Sequence, residues 1–319
     1  MKNHCLIFVA LVCAVTMSIF APQSFAQTVS TNADRAQILQ NQTQPPYGPG
    51  FSGEGIEDGH AAASPNDADI GEQEILKREN QYLPWSASLA TPIFYTSNVA
   101  LTPNHEISDV VFAPAAAFFY EPQFTRLLYG HFGAREQVFF YGDHHQFNFG
   151  SLDCEAGLTY FVPQWHELIL RAWYDFNRLT LDDRLGDEFF SNHSIILNAE
   201  IPFRINRAQQ FSLGADANLS VGADHQSPRR NDYEGYLGYS AALTRAFSVN
   251  AVGRVVVRDY HQNGRTDLSE ILSAVATYRF NNLFSASAIS SFAHSDSNHD
   301  VFDYNVANLG GALQLTVRF

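Results

Sequence analysis

The feature that most constrains the fold is an alternation of apolar and polar residues with a period of two, which runs from residue 85 onward. In its last stretch, residues 305–319, Leu313 and Val317 have one parity and Gln314 has the other. Successive side chains of a β-strand point to opposite faces, whereas a helix repeats about every 3.6 residues. The pattern therefore predicts strands, each with one apolar face and one polar or small face.

Twelve segments show this alternation, and the connections between them differ in length. The segments are residues 85–97, 108–120, 125–141, 151–162, 167–177, 193–205, 209–222, 233–244, 247–260, 268–280, 283–295 and 305–319. Every second connection is short, as at Asn281 and Asn282, and the others are longer and rich in Asp, Asn, His and Gly. Short turns that alternate with longer loops, joining an even number of antiparallel strands, are typical of outer-membrane barrels.

These observations predict an all-β fold, a transmembrane antiparallel up-and-down β-barrel of about twelve strands over residues 81–319. Hydrocarbon offers the backbone no hydrogen-bond partner, so a sheet that crosses a membrane must close on itself and leave no edge. A soluble β-sandwich is the alternative, because two packed sheets show the same alternation.

The charge of the chain narrows its classes of partner. It holds 19 Lys and Arg against 33 Asp and Glu, a net charge of −14, and Lys occurs only at positions 2 and 77. Nucleic-acid binding needs a basic face that offsets phosphate charge, so we expect no nucleic-acid partner. After residue 26, the sequence has no run of about 20 apolar residues that could form a transmembrane helix.

The N-terminal part of the sequence predicts a targeting segment followed by a linker. Lys2, an apolar run and a small-x-small site ending at Ala26 match a signal peptide over residues 1–26. Residues 27–80 are rich in Pro, Gly and acidic residues, and such a segment buries too little apolar area to offset the entropy of ordering. We expect residues 27–80 to be a flexible, disordered periplasmic segment, and a tether or a plug of the barrel is the alternative.

The last residues carry the most specific motif. Leu313, Leu315, Val317 and Phe319 alternate with other residues and end on an aromatic ring. This pattern resembles the signal by which the bacterial barrel-assembly machinery recognises outer-membrane proteins. Roughly the last fifty residues are similar to bacterial outer-membrane β-barrel (porin-like) families, some of them associated with exopolysaccharide export. The resemblance implies an outer-membrane location, contact with membrane lipid and lipopolysaccharide, and a pore role; it transfers no catalytic residue.

The polar parity of the strands predicts a charged barrel interior. The candidate lumen-lining residues are His131, Arg135, Asp153, Glu155, Arg171, Asp175, Glu200, Arg204, Asp216, Glu234, Arg254, Arg258, Arg279 and Arg318. One interpretation is a polar channel in which these charges set the solute preference. The other is a narrow or plugged barrel in which they pair, since twelve strands lie between the roughly eight that side chains fill and the roughly 16 of open porins.

Three chemical sites are weaker hypotheses. Ser191 and His193 share a face, as a hydrolase on the outer wall would need, but no third group that would orient the histidine is identifiable. The loop histidines show no ligand pair at suitable spacing, so we expect no metal and no cofactor. Arg229 and Arg230 form either an ordinary loop pair or a contact for lipopolysaccharide phosphates.

The sequence as a whole predicts an outer-membrane protein that is not an enzyme and whose N-terminal segment lies in the periplasm. Its expected activity is that of a small passive channel, or of the outer-membrane component that exports an envelope polymer. The transported molecule would be a polysaccharide or a small solute. The alternatives are a plugged structural barrel without transport and, less favoured, an embedded lipid-modifying hydrolase.

Overall fold

The computed structural model describes residues 32–40, 82–181, 187–206 and 208–319. The signal peptide expected at residues 1–26 and most of the expected linker lie outside these ranges. Residues 32–40 form a helix, α1, and the described strands form one antiparallel sheet. The strands are β1 (Trp85–Thr96), β2 (Asp109–Phe112), β3 (Ala115–Tyr120), β4 (Leu128–Tyr141), β5 (Phe149–Val162), β6 (Leu168–Leu181), β7 (Glu188–Asn206), β8 (Gln209–Asp224), β9 (Arg230–Ala242), β10 (Phe247–Tyr260), β11 (Thr266–Arg279), β12 (Phe284–Ser297) and β13 (Tyr304–Arg318).

The sheet closes on itself. β13 and β1 pair from Ser86 opposite Arg318 to Thr96 opposite Asn308, so the sheet forms a barrel. β2 and β3 both lie between β1 and β4, as two halves of one barrel strand. Because β2 and β3 count as one barrel strand, the thirteen strands of the described ranges make a closed twelve-stranded barrel. This confirms the predicted fold class.

The interruption between β2 and β3 falls at Ala113 and Pro114. Proline has no backbone N–H, so it removes one donor from the ladder. The neighbouring groups keep their partners. The Ala113 amide donates to the Pro92 carbonyl oxygen at 2.9 Å, and the Pro114 carbonyl oxygen accepts from the Val138 amide at 3.0 Å. The barrel wall is continuous across the break.

The two ends of the barrel carry different sets of connections. The loop end has the connections 97–108, 142–148, 182–187, 225–229, 261–265 and 298–303. The turn end has the connections 121–127, 163–167, 207–208, 243–246 and 280–283, together with the start of β1 and the end of β13.

At the loop end the strands run further than the alternation predicted. β6 continues to Leu181 and β7 begins at Glu188, although the sequence predicted a long loop between residues 177 and 193. Polar side chains at a barrel rim stay in contact with water, so they do not prevent strand pairing. The difference in connection length is consequently smaller than expected, and the connections 261–265 and 163–167 have five residues each.

The outer wall of the barrel is apolar. Leu309 and Leu313, on the parity predicted to face lipid, are 66% and 62% exposed. Aromatic rings gather at the turn end, where Trp85 stacks on Tyr120 with centroids 3.9 Å apart. Exposed apolar surface around a whole barrel is unfavourable in water and suits contact with hydrocarbon. Among the described residues, no helix is long and apolar enough to cross a membrane.

Helix α1 lies inside the barrel, in its loop-end half. Seven of its nine residues are buried. Ala33 and Ala36, which are 0% and 1% exposed, belong to an apolar cluster with Phe139, Phe149 and Phe190 of the wall. An isolated helix of nine residues is only marginally stable in water, so contact with the barrel stabilises this one.

For residues 32–40 the structure shows a helix inside the barrel, which matches the alternative of a plug and differs from a disordered segment. The Gly and Pro residues that make residues 27–80 resemble a linker lie outside these nine residues, whose Ala, Arg, Gln and Leu favour helix. The barrel supplies apolar surface and ion pairs, which offset the ordering entropy that the segment alone could not. The other residues of 27–80 lie outside the described structure.

Candidate functional site

Helix α1 is tied to the barrel wall through one carboxylate. Asp34 accepts a hydrogen bond from Arg230 Nη1 at Oδ1 (3.0 Å) and one from Arg265 Nη1 at Oδ2 (2.9 Å). The three side chains are at most 8% exposed. Charges buried this deeply are stable only when they are paired, so the helix and the wall depend on each other for charge balance.

The wall holds both arginines in place. Arg265 binds Asp267 through Nε at 2.9 Å and through Nη2 at 2.5 Å, and Arg230 binds Asp232 through Nε at 2.9 Å. Tyr260 lies opposite Arg230 in the sheet, and its ring centroid is 4.1 Å from the Arg265 guanidinium carbon. Each guanidinium therefore uses its Nε for the wall and presents its Nη1 to the helix.

Burial and charge act on Asp34 in opposite directions. Removal from water raises the pKa of its carboxyl, and the positive charges of Arg230 and Arg265 counteract part of that rise. The carboxylate therefore depends on both arginines for its negative charge, and loss of either arginine favours the neutral acid.

Further contacts seat the helix against other strands. Ile38 belongs to a buried apolar cluster with Val256 of β10 and Tyr304 of β13. The side-chain amide of Gln40 donates a hydrogen bond to the Ser151 hydroxyl of β5. Helix α1 thus contacts strands on several sides of the interior and occupies its loop-end half.

Toward the turn end, charged side chains on β4 to β10 pair with one another. Arg171 Nη1 donates to Glu200 Oε2 at 3.0 Å, and both side chains are at most 2% exposed. The His131 ring lies 2.8 Å from Glu155 through Nε2 and 3.2 Å from Glu121 through Nδ1. Paired charges of this kind make the interior hydrophilic.

Between Asp267 at the loop end and Arg279 at the turn end, the wall formed by β11 to β13 carries small uncharged polar side chains. The Ser269 hydroxyl donates to Ser295 at 2.7 Å, and the Asn308 amide donates to the Ser291 hydroxyl at 3.0 Å. In the strand order of the closed barrel, β12 lies across from β6. The interior therefore has a charged half and a hydroxyl-lined half, and both are hydrophilic.

The structure places the residues predicted to line the lumen in three groups. His131, Arg171, Asp175, Glu200, Arg254 and Arg258 are buried. Arg135, Asp153, Glu155, Asp216, Glu234 and Arg279 are half-buried. Arg204 and Arg318 are exposed near the turn end. Their part in solute passage stays a prediction.

The space beside α1 includes one small cavity among the described residues. A cavity of about 60 Å³ lies between the helix and the wall, lined by Gln37 and Gln40 of the helix and by Asp153, Asp175 and Asn177 among the wall residues. A cavity needs about 10–15 Å³ by this measure to hold one water molecule, so this one has room for a few water molecules.

Sequence analysis missed the pairing that holds α1. It placed Arg230 in a loop, whereas Arg230 is the first residue of β9 and is buried. Its shared parity with Asp232 could have indicated an inward position. The neighbouring Arg229 donates to the Ser220 hydroxyl and carbonyl oxygen, at 3.1 and 2.9 Å. No sequence signal linked Asp34 to the barrel, because 196 residues separate it from Arg230.

Ser191 and His193, the candidate hydrolase pair, have other surroundings. His193 Nδ1 lies 2.5 Å from the Tyr174 hydroxyl, and its ring packs on Phe176 with centroids 4.8 Å apart. In the part of the chain described, no hydrogen bond joins Ser191 to His193. Within the same residues, no three His, Cys, Asp or Glu side chains are grouped to hold a metal ion. That the protein is not an enzyme stays a prediction.

The C-terminal residues join the first strand and close the barrel. Phe319 and Trp85 exchange two backbone hydrogen bonds, at 3.1 and 3.2 Å. Leu313, Val317 and Phe319 are exposed on the outer wall, and Leu315 is half-buried. Recognition of these residues by the barrel-assembly machinery stays a prediction.

Comparison with known proteins gives a likeness in structure. No family model matches the sequence, and no curated protein matches it. An outer membrane channel from Pseudomonas putida F1 superposes with a TM-score of 0.52 at 11% identity, over 74% of this chain and 96% of that one. This chain has the fold of that channel.

Two further barrels superpose less well. The translocator domain of the autotransporter NalP from Neisseria meningitidis gives a TM-score of 0.42 at 12% identity, over 76% of this chain and 90% of that one. LpxR from Salmonella typhimurium gives 0.41 at 10% identity, over 72% and 99%.

Proposed function

We propose that the protein is a passive channel of the bacterial outer membrane for small hydrophilic solutes, closed by helix α1 in the structure. The observation that carries the proposal is a hydrophilic barrel interior in which, among the described residues, a short helix occupies the loop-end half. That helix is seated largely by side-chain contacts, with the buried Asp34 carboxylate between two arginines at its centre.

The chemistry of the interior supports passage more than a purely structural role. Buried ion pairs such as Arg171 with Glu200 are poor stabilisers, because apolar residues of similar volume often stabilise a protein as well or better. A barrel selected only for stability would therefore be expected to hold an apolar core. An interior of paired charges and hydroxyl groups suits water and solutes instead.

The free volume supports a closed state and small solutes. The cavity of about 60 Å³ beside α1 is too small for a sugar or an ion with its hydration shell. Passage of such a solute therefore requires helix α1 to move away from its contacts with the wall. Polymer export, which the sequence resemblance suggested, needs a wider path still, and no contact in the described residues favours it.

The same proposal places the protein in its membrane. The apolar outer wall would contact membrane lipid and lipopolysaccharide, and the turn end would face the periplasm, as short turns do in bacterial barrels. The start of β1 at Trp85 would then lie on the periplasmic side. Folding into the membrane would use the barrel-assembly machinery.

Single-channel conductance in planar bilayers tests the proposal. Asp34→Ala removes both ion pairs of the helix, so we expect the open fraction of the channel to rise at least tenfold over wild type. Asp300→Ala, which removes an equal charge from an exposed position in the loop 298–303, is the matched control and should behave as wild type. Silence of all three proteins would indicate a plugged structural barrel and contradict the proposal.

A further inference from the structure

The arginines that face α1 have the geometry of a ligand site. Arg230 and Arg265 come from neighbouring hairpins, yet their Nη1 atoms reach the two oxygens of one carboxylate at 3.0 and 2.9 Å. Two guanidinium groups that converge on a single carboxylate form a specific recognition site for that group. In the structure, Asp34 of the same chain occupies it.

The site is held in shape without the helix. Asp267 accepts hydrogen bonds from two nitrogens of Arg265. The guanidinium carbon of Arg265 lies over the Phe302 ring, 3.7 Å from its centroid. Asp232 binds Arg230, and the Tyr260 hydroxyl accepts a further hydrogen bond from it at 3.2 Å. These partners belong to the barrel and its loops, so both arginines stay oriented when Asp34 is withdrawn, and the site is preorganised.

The charges next to the two arginines favour a monoanion. Arg258 lies on β10 between Asp232 on β9 and Asp267 on β11, in register with both. With Arg230 and Arg265 added, these five groups carry three positive charges and two negative ones, a net charge of +1. One carboxylate neutralises this charge, whereas a phosphate with nearly two negative charges would leave an uncompensated charge in a buried site.

We propose that Arg230 and Arg265 bind the carboxylate of a monoanionic solute, and that Asp34 is a built-in competitor which this solute displaces. The site lies at the loop end, since Arg265 belongs to the connection 261–265 and Arg230 begins β9. A solute that arrives from that end would release the helix as it binds. The proposal rests on the proposed channel function and adds the class of solute.

Isothermal titration of the purified full-length protein tests the site apart from conductance. The probes are glucuronate, glucose and glucose 6-phosphate, which share a ring and differ in charge. We expect Asp34→Ala to bind glucuronate at least tenfold more tightly than wild type, because an intramolecular competitor acts at a high effective concentration. Glucose should not bind, and glucose 6-phosphate should bind at least tenfold more weakly than glucuronate.

A second substitution added to Asp34→Ala identifies the residues that bind glucuronate. Arg230→Gln or Arg265→Gln should weaken glucuronate binding at least tenfold, while Arg245→Gln, an exposed arginine at the turn end, should leave it unchanged. Circular dichroism verifies that each variant is folded, and Asp34→Asn is measured in parallel as a smaller change. Equal affinities of wild type and Asp34→Ala, retained binding in both glutamine variants, or equal binding of glucose 6-phosphate would each overturn the proposal.

The two proposals fail in different ways. A variant that conducts in bilayers but does not bind glucuronate leaves the channel function standing and removes the solute site. A variant that binds glucuronate while every protein stays silent in bilayers leaves the site standing and removes the channel function.

Discussion

Asp34 and Arg265 are 231 residues apart in the chain and are joined by a hydrogen bond of 2.9 Å inside the barrel. The contact connects a helix near the N-terminus to a loop between two of the last strands. Contacts of this range hold the helix inside the barrel.

The buried pair of Arg171 and Glu200 should be sensitive to removal of one partner. Glu200→Ala leaves the Arg171 charge buried without its carboxylate, and we expect a loss of about 3–5 kcal/mol in unfolding free energy. Urea unfolding in detergent, followed by tryptophan fluorescence, measures it. Arg178 and Glu188 form the matched control, because their side chains are 27% and 32% exposed, and Glu188→Ala should cost less than about 1 kcal/mol. Similar losses for the two variants would show that the interior is hydrated around Arg171.

Gly310 should not tolerate a side chain. A Cβ at this position would lie 2.2 Å from the Ile93 carbonyl oxygen and 2.6 Å from the Phe94 Cα, and these backbone atoms cannot rotate away. We expect Gly310→Ala to lower the unfolding free energy by about 1–3 kcal/mol. Gly235→Ala is the control, since its Cβ would meet nothing within 4 Å. An unchanged midpoint for Gly310→Ala would mean that β1 and β13 are further apart than in the structure.

The two faces of β13 should respond differently to a charge. Leu313→Arg places a charge on the outer wall, where we expect a loss of about 2–4 kcal/mol near the middle of the bilayer. Gln314→Arg, on the inward parity of the same strand, should be tolerated. Heat-modifiable mobility on gels after folding into lipid vesicles distinguishes the two. Equal effects would mean that the assignment of faces is wrong.

Most of the barrel could be predicted from the sequence, because a strand that contacts lipid on one face and water on the other shows a period of two at every position. The bounds of β10, residues 247–260, agree with the prediction. The signal is local, so one sequence suffices to detect it.

The occupied interior could not be predicted in the same way. Asp34 and Ile38 contact residues of β9 to β13 that lie far along the chain, and their own segment is too short for a strong periodic signal. The sequence predicts a loop at Arg230, because the polar residues around it hide the alternation at the start of β9. Contacts of this kind depend on the closed barrel, which brings distant strands around one short helix.

A disulfide lock between helix and wall tests the central claim most directly. Ile38 and Val306 belong to the same buried cluster, so we place Ile38→Cys and Val306→Cys in a chain whose Cys5, Cys13 and Cys154 are replaced by Ala, and verify the crosslink after oxidation by gel mobility. We expect the oxidised protein to be silent in planar bilayers and a reductant to restore conductance at the wild-type level. Full conductance in the oxidised, crosslinked protein would contradict the claim, because the helix would then occupy the interior without closing a channel.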